Sequence, residues 1–165
     1  MSARQPPWSA AWIRQHPLRF LGIVLHLVLR TLFAIFWLAA GVNKIVTGWL
    51  HTDLVERYFN YRLTELHPDS FAVWYLETLA IPLYLPIAWV VTLGELYSAV
   101  GLLLGWTTRR SAFVAFFLLF NFALGGYYDA SLIPFFLLVF LFMAYPSGEW
   151  LGMDRSRKHR AARAA

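Results

Sequence analysis

Hydrophobic residues are concentrated in four runs that shorter polar stretches separate. The runs cover residues 21–46, 86–106, 111–127 and 132–145. A helix rises about 1.5 Å per residue, so about 20 apolar residues cross the hydrocarbon of a bilayer. The fourth run is the shortest and is expected to borrow flanking residues. The pattern therefore predicts an all-α integral membrane protein, a four-transmembrane-helix bundle.

The one long connection between these runs, residues 48–85, is rich in aromatic and charged side chains. Its aromatic residues are Trp49, Tyr58, Phe59, Tyr61, Trp74, Tyr75 and Tyr84. Such residues concentrate where a bilayer meets water, which predicts helices lying at the headgroup level, separated at Pro68. The chain then divides into an N-terminal interfacial segment (1–20), a transmembrane domain (21–146) with its outer loop (48–85), and a basic tail (147–165).

Lysines and arginines are distributed unequally between the two predicted sides of the membrane. One side carries Arg4, Arg14, Arg19, Arg109, Arg110, Arg155, Arg157, Lys158, Arg160 and Arg163, and the other carries Arg57 and Arg62. Cytoplasmic loops carry the excess of basic residues in membrane proteins. Both termini are therefore predicted to be cytoplasmic and the 48–85 loop to be external.

Composition agrees with a membrane protein and excludes several kinds of site. Hydrophobic residues make up 59% of the chain, against about 45–50% in soluble domains. There is no cysteine, which excludes disulfides, iron–sulfur clusters and cysteine-based zinc sites. The net charge of +5 is interpreted as a report of orientation, and no nucleic-acid partner is expected.

Glu95 lies near the middle of the second run and is the first residue that needs a partner. An ionised carboxylate in hydrocarbon costs about 2.5 kcal/mol or more. Arg30 of the first run is estimated to lie about one helical turn, ~5.4 Å, from Glu95 in depth, which makes it the predicted partner. The small residues around Glu95 are Gly94, Ser98, Gly101 and Gly105. Their helical spacing predicts close packing on another helix.

A polar stripe along the first run is predicted to face protein, because its members share one helical face. It consists of His26, Arg30, Ala34, Trp37, Gly41 and Lys44. Two interpretations stay open at this point. Glu95, Arg30, His26, Asn121 and Ser98, with Trp37 as a wall, could line a pocket for a small amphipathic ligand, or Glu95 and Arg30 could form an internal ion pair that holds helices together.

Histidine placement argues against haem and metal sites. A bis-histidine haem needs a second histidine at the depth of His26, and the other four histidines lie outside the spans. His51 and His67 in the outer loop match no defined zinc spacing. His26 is therefore expected to be hydrogen-bonded to a carbonyl or to water, and no haem, iron–sulfur cluster or metal is expected.

Four short motifs give the chain a family resemblance. They are GELYSAVGLLLGWTTR (94–109), AAGVNKI (39–45), NFALGG (121–126) and EWLGMD (149–154). Together they resemble the DoxX-like membrane proteins, in particular the DoxD branch, the small subunit of thiosulfate:quinone oxidoreductase. The similarity covers about residues 25–155. It implies a four-helix protein of the prokaryotic cytoplasmic membrane that works in quinone-linked redox chemistry.

By matching position, the resemblance assigns a site to Glu95, Lys44, Asn121 and Arg109, with quinone as the implied cofactor. The leading hypothesis is a subunit of a membrane oxidoreductase in which Glu95 relays a proton to a quinone headgroup or hydrogen-bonds to it. The alternative is a non-catalytic anchor or assembly subunit that packs against other proteins of a respiratory or photosynthetic complex. A transporter is disfavoured because the chain shows no inverted repeat.

Overall fold

The computed structural model describes residues 8–154, and every regular element in this range is helical. The helices are α1 (Ala10–Gln15), α2 (Pro17–Val46), α3 (Leu54–Glu65), α4 (Phe71–Tyr75) with a π-helical continuation (Leu76–Ala80), α5 (Tyr84–Leu104), α6 (Thr108–Leu124), α7 (Leu132–Ala144) and α8 (Ser147–Trp150). The all-α prediction is confirmed for this part of the chain.

Helices α2 and α5 are antiparallel and make the most extensive helix contact of the described residues. Gly41 lies against Leu96 and Arg30 lies against Gly105, so residue numbers rise along α2 as they fall along α5. By length and composition both helices could cross a membrane, with mean hydropathies of 2.1 and 1.8. Helix α7 is also apolar but has only 13 residues.

The remaining long helices extend this pair into a ring. Helix α6 packs on α5, α7 packs on α6, and α7 reaches back to α2 through a small contact. Large side chains fill the centre, among them Phe33, Trp37, Leu118 and Phe142, each no more than 3% exposed. The polar stripe predicted to face protein is confirmed, because all its members except Lys44 are buried and Lys44 is half-buried.

The small-residue ladder of α5 packs against α6, as its spacing predicted. A Cβ atom added to Gly94 would meet the side chains of Leu118 and Val114 at 3.1–3.4 Å. One added to Gly101 would lie 2.9 Å from Ser111 Cβ. Glycine is therefore needed at Gly101 for the two helices to approach each other, and at Gly94 it leaves a tight contact.

The bundle has two ends, which are named here by what they carry. The loop end carries residues 47–83, and the termini end carries α1 and α8. At the loop end the chain folds back across the bundle, because the apolar faces of α3 and α4 need cover. Val55, Leu76 and Ala80 are each about 1% exposed there. Residues 47–83 thus form a roof over the helices and also present aromatic residues outward. Pro68 lies between α3 and α4, as expected.

The segment at the termini end was predicted to be a basic tail from residue 147, and its first part, residues 147–154, packs against the bundle. That part docks on the turn between α5 and α6. The Asp154 carboxylate accepts hydrogen bonds from the backbone N–H groups of Thr107 (2.8 Å) and Thr108 (3.1 Å), and the Asp154 N–H donates to the Gly105 carbonyl at 3.0 Å. The predicted tail residues 155–165 lie outside the described residues, as do residues 1–7.

Two helix starts also differ from the predicted boundaries, each for a local reason. Helix α6 begins at Thr108 and not at residue 111, since Asp154 satisfies the free N–H groups of its first turn. Helix α2 begins at Pro17 and not at residue 21, because proline is favoured in a first turn, where its missing N–H costs nothing. The predicted interfacial segment is therefore helix α1 plus the first turn of α2.

Candidate functional site

The polar centre of the bundle is an ion pair between Lys44 of α2 and Glu95 of α5. The Lys44 Nζ atom donates to Glu95 Oε1 at 2.7 Å and to Oε2 at 2.9 Å. The two side chains are 13% and 2% exposed, so little water reaches the pair. Lys44 Nζ also lies 5.0 Å from the ring centre of Trp49, where the face of the indole adds a favourable charge–quadrupole contact.

Helix geometry explains why these two side chains meet. Side chains on a helix lean toward its N-terminus. Because α2 and α5 are antiparallel, Glu95 leans toward the loop end while Lys44 leans away from it, and the two converge. Gly41 lies one turn before Lys44 and leaves room for α5, since a Cβ atom there would be 2.8 Å from Leu96 Cδ2 and 3.5 Å from Glu95 Cβ.

The predicted Arg30–Glu95 contact is wrong. Arg30 leans away from Glu95, toward the termini end, and its Nη2 atom donates to the Leu151 carbonyl at 2.9 Å. Arg30 as a whole residue is only 3% exposed. The Nε and Nη1 atoms of its guanidinium group find no hydrogen-bond partner among the described residues. Arg30 therefore holds the docked C-terminal segment, and Lys44 is the partner of Glu95.

A cavity of about 450 Å³ lies at the loop end, under the roof formed by α3 and α4. Its walls are mostly apolar and include Trp49, Val55, Leu76, Ala80, Ile87, Val91, Phe122 and Leu132, with polar contributions from Lys44, Tyr58, Tyr75, Asn121 and Tyr127. Lys44 lines the cavity whereas Glu95 does not. The carboxylate can therefore act on the contents of the cavity only through the lysine ammonium group.

Tyr75 and Asn121 form a second polar group in the cavity wall. The Tyr75 hydroxyl donates to Asn121 Oδ1 at 2.9 Å, and Asn121 Nδ2 donates to the Phe117 carbonyl at 2.7 Å. Burial raises the pKa of the Tyr75 phenol, which keeps it a hydrogen-bond donor at neutral pH. An amide has two N–H groups, so Asn121 has one left for a ligand.

Arg62 fastens the roof above the cavity. Its Nη2 atom donates to the Gly126 carbonyl in the turn between α6 and α7, and its Nη1 atom pairs with Glu65 at 2.6 Å. The guanidinium lies 5.2 Å from the centre of the Tyr127 ring, one of the rings that line the cavity. Helix α3 is thus tied to the far side of the bundle, and the cavity stays covered.

The other predicted site residues do not share this cavity. Trp37 and Ser98 are buried in the core on α2 and α5, and Trp37 Nε1 and Ser98 Oγ lack partners among the described residues. His26 lies at the termini end, with the rings of Phe142, Tyr145 and Trp150 at 5.2–5.9 Å. Arg109 is also at that end, on the exposed first turn of α6. The predicted single pocket is therefore divided between the two ends of the bundle.

Sequence reasoning missed two tyrosines of the cavity wall, Tyr75 of the roof and Tyr127 of the turn between α6 and α7. The aromatic character of Tyr75 suggested a membrane interface, and that interpretation hid the alternative of a cavity under the roof. A signal was present in the apolar spacing of Ala72, Leu76 and Ala80, which marks one buried face next to Tyr75.

Two of the four motifs that carry the family resemblance come together at the termini end. Within the segment 94–109, Gly105 packs on Gly152 of the segment 149–154, where an added Cβ would lie 2.8 Å from the Gly152 Cα atom. Both glycines have positive φ, +61° and +158°. Comparisons with protein-family models, with curated proteins and with solved structures find no match.

Proposed function

We propose that this protein is a four-span membrane subunit of DoxX/DoxD type that holds a quinone headgroup in the loop-end cavity. The observation that carries the proposal is Lys44, paired with Glu95, in the wall of a mostly apolar cavity. Ionisable groups inside apolar spans are costly and mark functional sites. A purely structural pair would have no need of an adjoining cavity.

The residues of the cavity suit a quinone by size and by donor set. A volume of about 450 Å³ lies within the roughly 300–1,000 Å³ typical of small-molecule sites. A quinone presents carbonyl oxygens, which need hydrogen-bond donors. Lys44 uses two of its three N–H bonds on Glu95 and keeps one, and Asn121 keeps one amide N–H. The apolar walls suit a ring and a hydrophobic tail.

Each polar residue then has a separate task. Lys44 offers a charged donor, and the Glu95 carboxylate holds the ammonium group in place. Tyr75 orients the Asn121 amide through its hydrogen bond to Oδ1. When bound, a quinone supplies acceptor chemistry for two electrons and two protons. The mostly apolar walls lower the local polarity, which strengthens electrostatic contacts in the cavity.

Binding of a short-chain quinone analogue tests this assignment through the quenching of tryptophan fluorescence. The double variant Lys44→Met with Glu95→Gln removes the charged donor without leaving a lone charge. It should bind at least about tenfold more weakly than the parent, because a charge-assisted hydrogen bond is lost. Trp49→Phe should remove much of the quenching, since Trp49 lines the cavity.

Arg30→Gln is the matched control for that experiment. It also removes one buried cation from α2, but Arg30 lies at the other end of the bundle and should leave quinone affinity unchanged. Equal affinity of the parent and the Lys44→Met, Glu95→Gln protein would contradict the quinone assignment.

The proposed topology places both termini in the cytoplasm of a prokaryotic cell and the roof outside. The reason is that ten basic residues lie on the side of the termini and only two on the side of the roof. Because the chain has no cysteine, a single cysteine at the exposed Thr64 gives an unambiguous label. We expect a membrane-impermeant thiol reagent to label it in intact cells. Labelling only after permeabilisation would show that the topology is the reverse of the one proposed.

A second candidate function, a non-catalytic anchor for other subunits, is favoured by an aromatic patch on the outside of the roof. Phe71 and Trp74 are each 57% exposed, and their rings lie 5.3 Å apart. Exposed apolar patches often mark protein contacts. Purification of the native complex distinguishes the two functions: Phe71→Ser with Trp74→Ser should release partner subunits if the patch is an anchor, with quinone binding unaffected.

A further inference from the structure

A second concave site lies at the termini end, far from the Lys44–Glu95 pair. It is a groove of about 580 Å³ along one face of α2. The residues of α2 that line it include Arg19, Gly22, His26 and Leu29, at helical spacings of three, four and three. Residues so spaced share one face of a helix, so the groove runs parallel to the axis of α2.

Both ends of the described chain build the opposite walls. Trp12 of α1 and Trp150 of α8 line the groove, together with Leu141 and Tyr145 from the end of α7. Trp8 Nε1 donates to the Trp150 carbonyl at 2.9 Å, which ties the two walls together. The groove is therefore a defined part of the fold and not a gap between loose ends.

The groove has open space at its centre and a cation at one end. Apart from its chain neighbours and the backbone of its own helix, a Cβ atom added to Gly22 would have no protein atom within 4 Å. Arg19 is the charged residue among those that line the groove. The ion pairs in the described part of the chain involve Lys44, Arg57 and Arg62, so none of them neutralises Arg19.

We propose that this groove binds one anionic phospholipid, with its phosphate on Arg19 and one acyl chain along α2. From Arg19 to Leu29 the helix rises ten residues, or about 15 Å. This is half of the ~30 Å hydrocarbon thickness of a bilayer, the length available to a chain in one leaflet. The apolar walls suit such a chain, and guanidinium groups bind phosphate oxygens through paired hydrogen bonds.

The charge around the groove favours an anionic lipid over a neutral one. Arg109, on the exposed first turn of α6, lies at the same end as Arg19. Basic side chains near a membrane surface attract anionic lipids. Trp12 and Trp150 add indole rings, which prefer the level of the headgroups.

Lipid titration followed by native mass spectrometry tests the proposal. The full-length protein, stripped of lipid in mild detergent, is titrated with phosphatidylglycerol or with phosphatidylcholine carrying the same acyl chains. We expect phosphatidylglycerol to bind about tenfold more tightly. Arg19→Gln should abolish that preference. Arg14→Gln removes the same charge at the same end but outside the groove, and it should keep the preference.

A second pair of variants tests the groove itself. Gly22→Phe should fill the open space and weaken binding of both lipids about tenfold, whereas Gly22→Ala should leave both unchanged. Equal binding of the two lipids by the parent, equal effects of Arg14→Gln and Arg19→Gln, or full binding by a folded Gly22→Phe protein would overturn the proposal. Displacement of the bound lipid by a quinone analogue would assign the groove to quinone instead. This site is separate from the loop-end cavity, so either proposal can fail without the other.

Discussion

Removing either partner of the Lys44–Glu95 pair is expected to destabilise the protein by about 3–5 kcal/mol, the usual cost of leaving one buried charge alone. Lys44→Met leaves a carboxylate that is 2% exposed with no counter-ion in its hydrogen-bonding shell. Glu95→Gln leaves a largely buried ammonium group facing a neutral amide. Free energies of unfolding from denaturant titrations in mild detergent measure both losses.

Removing both partners together should cost less than the two single losses added together. In the double variant neither ion is left alone, and neutral side chains of similar size fill the same space. A double-mutant cycle should give an interaction energy of at least about 1 kcal/mol, since residues in one ion pair do not act independently. Additive losses would show that the two side chains do not interact in the folded protein.

The cycle of Arg30→Gln with Glu95→Gln is the control. Both residues are buried charges on α2 and α5, but Arg30 donates to the Leu151 carbonyl at the termini end and makes no contact with Glu95. The two losses should therefore add to within about 0.5 kcal/mol. Coupling in this cycle, with none in the first, would show that Arg30 and not Lys44 is the partner of Glu95.

The helices were predictable from the sequence because they depend on local properties of the chain. Runs of apolar residues predicted the four long helices to within about four residues at each end. The period of the polar stripe from His26 to Lys44 predicted which face of α2 is buried. Spacing of the small residues predicted close packing along α5, and the structure places α6 against that ladder.

The error about Arg30 came from the estimated register of α2 against α5, which placed Arg30 only about one helical turn, ~5.4 Å, from Glu95 in depth. In the structure Gly41 is level with Glu95 and Arg30 is level with Gly105, so Lys44 lies about three residues (~4.5 Å) and Arg30 about eleven residues (~16 Å) from the level of Glu95. The direction of the side chains adds to this difference, because each leans toward the N-terminus of its own helix. In an antiparallel pair this brings Lys44 toward Glu95 and carries Arg30 away. That direction is a property of every helix and could have been applied to the sequence.

The cavity and the docked C-terminal segment could not be predicted in this way, because both depend on contacts between distant parts of the chain. Asp154 contacts the start of α6 across 46 residues of sequence. Its neighbours along the chain are basic, which suggested a solvated tail. The Tyr75–Asn121 hydrogen bond likewise joins residues 46 positions apart. The periodic pattern of apolar and polar residues within one helix carries no information about such long-range contacts.

Two chemically identical substitutions are expected to change stability in opposite directions. At Gly101 a new methyl group would lie 2.9 Å from Ser111 Cβ and 3.0 Å from the Trp106 carbonyl oxygen. Backbone and Cβ atoms cannot rotate away, so Gly101→Ala must push α5 and α6 apart, at a cost of about 1–3 kcal/mol. At Gly22 the same methyl group meets no protein atom within 4 Å.

Gly22→Ala should therefore stabilise the protein by roughly 0.5–1 kcal/mol, the preference of a helix interior for alanine over glycine. Thermal unfolding of both variants in one detergent measures the difference, which should be about 1–3 kcal/mol, the overpacking cost at Gly101. The comparison removes the intrinsic helix preference, since it is the same at both sites. What remains is the contact between α5 and α6. If Gly101→Ala were as stable as Gly22→Ala, the ladder would face lipid and not α6.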